Sequence, residues 1–208
     1  LVKCGLFLTL LLAGCLLVPV ESPPRTMVYS CSGGLRLTAR ESGGLLQLLE
    51  PGETRTLVQK DSRVGRLYTD SEVEFWIQEG SARLANKGQV TRVCRPDPAA
   101  AIWEEARLRG VDFRGAGNEP GWFVELTGDQ LVYAGEYGRQ HLSFSGVQQL
   151  RDDHLAQTVI AAEREGQQLE MLLQAGDCRD SMSGESFDTR VRLKLDGKTY
   201  FGCGKRLN

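Results

Sequence analysis

The chain has 208 residues, with 25 Lys and Arg against 27 Asp and Glu, a formal net charge of −2 and 41% hydrophobic residues. That length suits two small domains. The balanced charge lacks the clustered basic footprint of a nucleic-acid-binding protein, and the scattered glycines fit turns rather than a phosphate-cradling loop.

From the N-terminus, an apolar run, Leu6–Leu12, follows one positive charge at Lys3. It is too short to span a bilayer and reads as a secretory signal. It closes on Leu12-Ala13-Gly14-Cys15, which resembles the lipobox of bacterial lipoproteins. The resemblance implies a signal peptide over residues 1–14, cleavage before Cys15, and palmitate and other acyl groups on that cysteine. A plain signal peptide that contains a cysteine is the alternative. Leu16, where inner-membrane lipoproteins carry Asp, implies an outer-membrane anchor facing the periplasm. Residues 15–26, with Pro19, Pro23 and Pro24, read as a lipidated tether.

Residues 27–95 carry a net charge of +2 and read as eight short strands. They are Met27–Cys31, Leu35–Ala39, Leu45–Leu49, Thr54–Val58, Val64–Thr69, Val73–Gln78, Ala82–Asn86 and Val90–Cys94, separated by glycine-containing turns. Such a series predicts a small antiparallel barrel or sandwich. Arg95-Pro96-Asp97-Pro98 then breaks the strand pattern, and residues 96–110 read as a linker and a helix. The helix spans Ala99–Arg109, opened by Asp97 or Pro98, stopped by Gly110, and expected to dock on the second domain.

Residues 97–208 carry a net charge of −5, and residues 111–208 return to strands. The expected strands are Val111–Arg114, Trp122–Leu126, Gln130–Ala134, Gln140–Phe144, Leu155–Ala162, Gln168–Gln174, Thr189–Leu195 and Thr199–Cys203. Leu155–Glu165 has a helical alternative. Arg190–Leu195 alternates polar and apolar, so one face is wet, and Asp196-Gly197 signals a hairpin. The fold class is therefore mainly β: an eight-strand antiparallel barrel, one helix, and a second antiparallel, barrel-like domain.

Outside the signal and the lipid site, Cys31, Cys94, Cys178 and Cys203 remain. Four cysteines allow three pairings, and local order favours Cys31–Cys94 and Cys178–Cys203. There is no Cys-x-x-Cys and only His141 and His154 add imidazole, so no metal or other cofactor is expected.

The first domain resembles the membrane-bound inhibitors of C-type lysozyme over about Val28 to Cys94. The resemblance rests on Tyr29-Ser30-Cys31, Gly65-Arg66-Leu67-Tyr68, Phe75-Trp76 and the closing Cys94. It implies an eight-strand barrel closed by a disulfide, with inhibitory loops at Ser62, Val64, Gly65, Tyr68, Gln78 and Glu79. The family has Ser where Val64 stands, and its lysine falls on Gln78 or Glu79. Ser62 is expected to share a strand face with Val64 and to replace the missing hydroxyl in part. The two loops are expected side by side on one exposed face.

The second domain resembles an uncharacterised family of envelope proteins. The residues that carry this are Gly110-Val111-Asp112-Phe113-Arg114, Gly117-Asn118-Glu119-Pro120-Gly121-Trp122, Cys178-Arg179-Asp180-Ser181-Met182-Ser183-Gly184 and Gly202-Cys203-Gly204. Glu119-Pro120-Gly121 suits a type II turn and Asp180–Gly184 an Asx turn. The alternative is a ligand site built from Asn118, Glu119, Trp122, Asp180 and Ser181, with Glu119 and Asp180 as paired carboxylates. No Ser-His-Asp or Cys-His order stands out. The expectation is a non-enzymatic envelope lipoprotein, anchored to the membrane by its lipid. Its expected partner is C-type lysozyme or another peptidoglycan-cleaving enzyme, with neither nucleic acid nor metal involved. The alternative is an envelope-stress or assembly factor that acts through the C-terminal domain.

Overall fold

A computed structural model describes residues 23–50 and 52–208. The signal peptide, the lipidation position Cys15 and the tether as far as residue 22 lie outside the described residues. Two meanders account for nearly all the described chain. The first comprises β1 (Arg25–Cys31), β2 (Arg36–Ser42), β3 (Leu45–Glu50), β4 (Glu53–Lys60), β5 (Arg66–Thr69), β6 (Val73–Gln78), β7 (Ser81–Asn86) and β8 (Gln89–Pro96). The tether ends earlier than expected, because Arg25 and Thr26 already pair with Glu41 and Arg40 of β2.

Each strand is antiparallel to the next, and β1 pairs with β8 to close the barrel. Alternation sends Leu37, Ala39, Leu46, Leu48, Leu57 and Phe75 into the core and leaves their neighbours more exposed. Cys31 and Cys94 face each other across the closing ladder and are disulfide-bonded, with a Cα–Cα distance of 3.9 Å. The bridge thus joins the first strand to the last. Pro96 ends β8, where it removes no further ladder donor, and the Asp97 N–H returns to the Val28 carbonyl at 2.8 Å.

Helix α1 (Pro98–Leu108) starts where proline and a capping carboxylate coincide. Asp97 accepts from the Ala100 N–H at 3.0 Å and Pro98 occupies the first turn. Gly110, at φ +83°, ends it. As expected, α1 packs on the second domain, with Trp103 and Phe187 ring centroids 4.9 Å apart. It also touches the first barrel, since Glu105 accepts from the Thr26 hydroxyl.

The second meander comprises β9 (Phe113–Asn118), β10 (Gly121–Thr127), β11 (Gln130–Gly135), β12 (Gln140–Ser145), β13 (Gln148–Asp152), β14 (Gln157–Arg164), β15 (Gln167–Arg179), β16 (Ser186–Leu195) and β17 (Lys198–Arg206). They form one curled sheet in which the last strand returns to β9. The helical alternative for Leu155–Glu165 is overturned. Gln157–Arg164 is a strand paired on both edges, with Ile160 and Ala162 inward.

The strand missing from the sequence reading is β13, and the geometry explains the omission. β12 pairs with β11, and β13 pairs with β14, but the two are separated only by Gly146 and Val147. Gly146 adopts φ +67°. Arg164 of β14, just downstream of the residues that pair with β13, reaches the Ser143 carbonyl of β12 at 3.4 Å. Together β12 and β13 act as one bent strand that hands the ladder from β11 to β14. The second domain is thus a curled, barrel-like sheet whose two edge strands, β12 and β13, are joined through this bend and not by a ladder, unlike the closed first barrel.

β15 is longer than expected. A bulge between Ala175 and Cys178, with Gly176 at φ +141°, redirects the end of the β15–β16 hairpin across the outside of β17 and β9. The Cys178–Cys203 disulfide, with Cα–Cα 5.6 Å, pins it there. Both expected disulfide pairings are present, but this one fastens a hairpin and does not close the barrel.

Candidate functional site

The first candidate site is the end of the first barrel. β5 begins at Arg66, not Val64, because residues 61–65 bend and Gly65 adopts φ +69°. No larger residue fits at Gly65: an added Cβ would lie 2.2 Å from the Ile77 carbonyl oxygen. This contact, and the Trp76 indole N–H donating to the Val64 carbonyl at 2.7 Å, hold the bend against β6. Val64 and Gln78–Glu79 therefore do lie side by side at one end of the barrel. The Val64 side chain is 61% exposed.

Two details correct the expectation. Ser62 does not share a strand face with Val64, since neither belongs to a strand; its hydroxyl donates to the Val64 carbonyl at 2.8 Å. That bond shapes the bend and commits the hydroxyl proton internally. Tyr68 is fully buried and donates to Glu41, so it supports the loops from inside the barrel. Burial, followed by the Glu41 bond, pushes its phenol well above the ordinary range.

Charge at this end comes from Arg25, which belongs to no motif, and from Arg66, which the Gly65–Tyr68 motif contains but does not mark as a site residue. A cavity of about 350 Å³ opens here, lined by Arg25, Tyr29, Arg66, Ile77, Gln78 and Ser81, among others. Arg66 pairs with Glu41 at 2.9 Å. Arg25 and Arg66 thus place positive charge beside Gln78, where the inhibitor family has lysine. Glu79 occupies the exposed β6–β7 turn with Gly80 at φ +69°.

The second candidate site is under the folded-over hairpin. Asn118 at the end of β9 donates to Asp180 at 2.8 Å and to the Ser181 hydroxyl at 3.1 Å. Asp180 also accepts from the Met182 and Ser183 N–H groups at 3.0 and 2.6 Å and from the Ser183 hydroxyl at 2.8 Å. This is the expected Asx turn. Burial would raise the Asp180 carboxyl, but the Ser183, Asn118 and Met182 bonds outweigh it and hold the group below the usual carboxylate range. A carboxylate so fully bonded suits structure better than proton transfer.

Three of the five expected residues therefore converge, around a cleft of about 320 Å³ that Arg179, Arg190 and Phe201 also line. Glu119 and Trp122 do not belong to it. Glu119 is exposed in the β9–β10 turn, and no bond links it to Asp180. Its peptide bond to Pro120 is cis, so the turn is of the cis-proline class and not type II. Trp122 points to the other face of the sheet, 4% exposed, into space that Gly117 and Gly202 leave open.

A buried ion pair escaped the sequence reading. Arg114 and Glu125 face each other across β9 and β10, and are 8% and 7% exposed. Glu125 also accepts from Arg109 at 2.8 Å, and the Arg114 guanidinium lies 4.3 Å from the Phe123 ring centroid and 5.6 Å from that of Trp103. Burial lowers the Arg114 pKa, which the Glu125 charge opposes. These groups fix α1 to the sheet.

His141 and His154 are exposed, and among the described residues no three His, Cys, Asp or Glu side chains gather as a metal site. No helix among the described residues is long and apolar enough to cross a membrane. Comparison with protein-family models, with curated proteins and with solved structures found no match.

Proposed function

We propose that the chain is an envelope lipoprotein, anchored through Cys15 to the outer membrane and facing the periplasm. In this reading the end of its first barrel binds a peptidoglycan-cleaving enzyme, most concretely a C-type lysozyme. The observation that carries the proposal is the juxtaposition of the Val64–Gly65 bend with Gln78 at one barrel mouth, locked by the Trp76–Val64 bond. Arg25 beside these loops, with Arg66 held by Glu41 behind it, suits an acidic partner surface, where a desolvated guanidinium pairs with carboxylates.

The test is a lysis assay with the full chain. Restoring a hydroxyl and an ammonium, Val64→Ser with Gln78→Lys, should strengthen inhibition more than tenfold. Charge-assisted bonds of this kind contribute about 1.5–3 kcal/mol. No inhibition by either the natural or the doubly substituted chain would remove lysozyme as the partner. Mass spectrometry showing a mature N-terminus other than acylated Cys15 would remove the anchor.

A second reading places the function in the C-terminal domain, as an envelope-stress or assembly factor without lysozyme inhibition. The convergence of Asn118, Asp180 and Ser181 on one cleft favours it.

A further inference from the structure

The alternation in Arg190–Leu195 sends Val191, Leu193 and Leu195 into the core and Arg190, Arg192 and Lys194 to the outer face of β16. Directly across the ladder neither arginine meets a carboxylate, and the acidic groups nearest in register, Asp188 and Glu170, make no ion pair with them. Arg190 lies between Gln174 and Cys203, and Arg192 between Leu172 and Phe201. Among the described residues, Arg179, Arg190 and Arg192 make no ion pair. Phe201 shares this face and is 70% exposed. The Arg190 Nε–H donates to the Asp177 carbonyl at 3.0 Å, which orients the guanidinium and leaves its terminal nitrogens without a carboxylate. An aromatic ring left in solvent beside guanidiniums that lack a counter-ion, at the wall of a cleft, is a surface prepared for an anion with an apolar face.

The floor of the cleft adds a second constraint. The Asn118 amide nitrogen is spent on Asp180 and Ser181, which leaves its carbonyl oxygen to accept. The Ser181 hydroxyl accepts from Asn118 and keeps its own proton to donate. An acceptor and a donor side by side match hydroxyl groups, which serve as both. β9 and β17 are paired on both edges, so these strands have no open ladder for an extended peptide. The volume, about 320 Å³, is at the small end for ligand sites.

We propose that this cleft binds a carboxylate-bearing sugar. The ring stacks its apolar face on Phe201, the carboxylate lies between Arg179 and Arg190, and ring hydroxyls meet Asn118 and Ser181. The inference rests on the second functional reading, in which the C-terminal cleft is a ligand site. It is independent of the lysozyme reading.

The experiment is an amide-shift titration of the full isotopically labelled chain by nuclear magnetic resonance. The probes are N-acetylmuramic acid, glucose as a ring without charge, acetate as a carboxylate without a ring, and tri-alanine as a carboxylate-ended peptide. The expected result is saturable shifts at Asn118, Ser181, Phe201 and Gly202 with N-acetylmuramic acid, and at least tenfold weaker binding of the other three. Phe201→Ala and Arg179→Gln should each weaken binding at least fivefold while the amide spectrum of the two cores stays in place. Equal or tighter binding of glucose, acetate or tri-alanine would overturn the sugar assignment while leaving the cleft a ligand site. No saturable shift with any probe, or binding indifferent to both substitutions, would overturn the cleft as a site altogether.

Discussion

The two β domains are both antiparallel meanders, but a ladder closes only the first into a barrel. In the first, the end strands meet directly, and the Cys31–Cys94 bridge spans that meeting. In the second, β9 and β17 also pair, but the ladder between β11 and β14 is carried by one strand bent at Gly146. Its disulfide is spent on the outside, fastening a hairpin over β17. The first barrel therefore uses its covalent bond for stability, while the second uses its bond to build a cleft. The larger second core, which includes Phe113, Trp122, Tyr133, Phe144 and Tyr200, reduces its need for covalent closure.

The sharpest way to break this comparison is at the buried charges. Among the described residues, the buried charged side chains, Arg114 and Glu125, both belong to the second domain. Glu125→Ala would leave Arg114 buried and unpaired, and should cost about 3–5 kcal/mol. Thermal unfolding of the variant should show the second barrel melting first. Removing Cys31–Cys94 by a double serine substitution should cost about 2–5 kcal/mol and loosen the first barrel. The same change at Cys178 and Cys203 should leave the second core folded, readable as retained amide protection, while it frees the hairpin and widens the cleft. If the two removals unfold their barrels equally, the division of labour between the bridges is wrong.

A smaller effect is expected at Gly202. An added Cβ there would lie 2.0 Å from the Ala116 carbonyl oxygen and 2.9 Å from the Trp122 ring. Gly202→Ala should therefore cost about 1–3 kcal/mol, measured by denaturant unfolding. Gly52→Ala is a weak control for space alone, because its φ of +84° adds strain even where nothing crowds it.

The smallest effect compares two turns. Asp70 holds the β5–β6 turn through the Val73 and Glu72 N–H groups, and Asp180 holds its turn through Ser183 and Met182. The Val73 and Glu72 bonds lower the Asp70 carboxyl. Both folded pKa values lie below the unfolded value of about 3.9. Their stabilisation is thus complete above that pH and is lost as pH falls through the folded values. The protection factors of the Val73 and Ser183 amides, corrected for the slower intrinsic exchange in acid, should fall on acidification below about pH 4 in both barrels, and Asp180→Asn should blunt the change in the second only.

Much of the fold was legible because strands with one wet face announce themselves by alternation. Val73–Gln78 is an example, with Val73, Phe75 and Ile77 inward. The strand β13 was not, since Gln148–Asp152 is exposed throughout and carries no alternation. The overlay of the β15–β16 hairpin depends on a bulge, and a local pattern does not say which way a bulge turns a strand. The Arg114–Glu125 pair depends on a helix covering a sheet face that would otherwise be wet. Of the sites, proximity of the inhibitor-like loops was legible from motif order. The cations beside them were not, because Arg25 and Arg66 come from strands far apart in sequence. Asn118, Asp180 and Ser181 were legible as polar groups near a bridge, whereas Phe201 drew no notice because one aromatic in a strand normally faces inward.

The bond between the Trp76 indole and the Val64 carbonyl also makes this chain its own spectroscopic probe. Its three tryptophans report on three places: Trp76 on the loop edge of the first barrel, Trp103 on the helix, and Trp122 in the second core. With Trp103 and Trp122 replaced by phenylalanine, the remaining emission comes from an indole that is hydrogen-bonded to the loop proposed to dock. Any partner that displaces residues 61–65 breaks or shields that bond. Its arrival should be readable as a shift in fluorescence wavelength, without a label and without knowing the partner in advance.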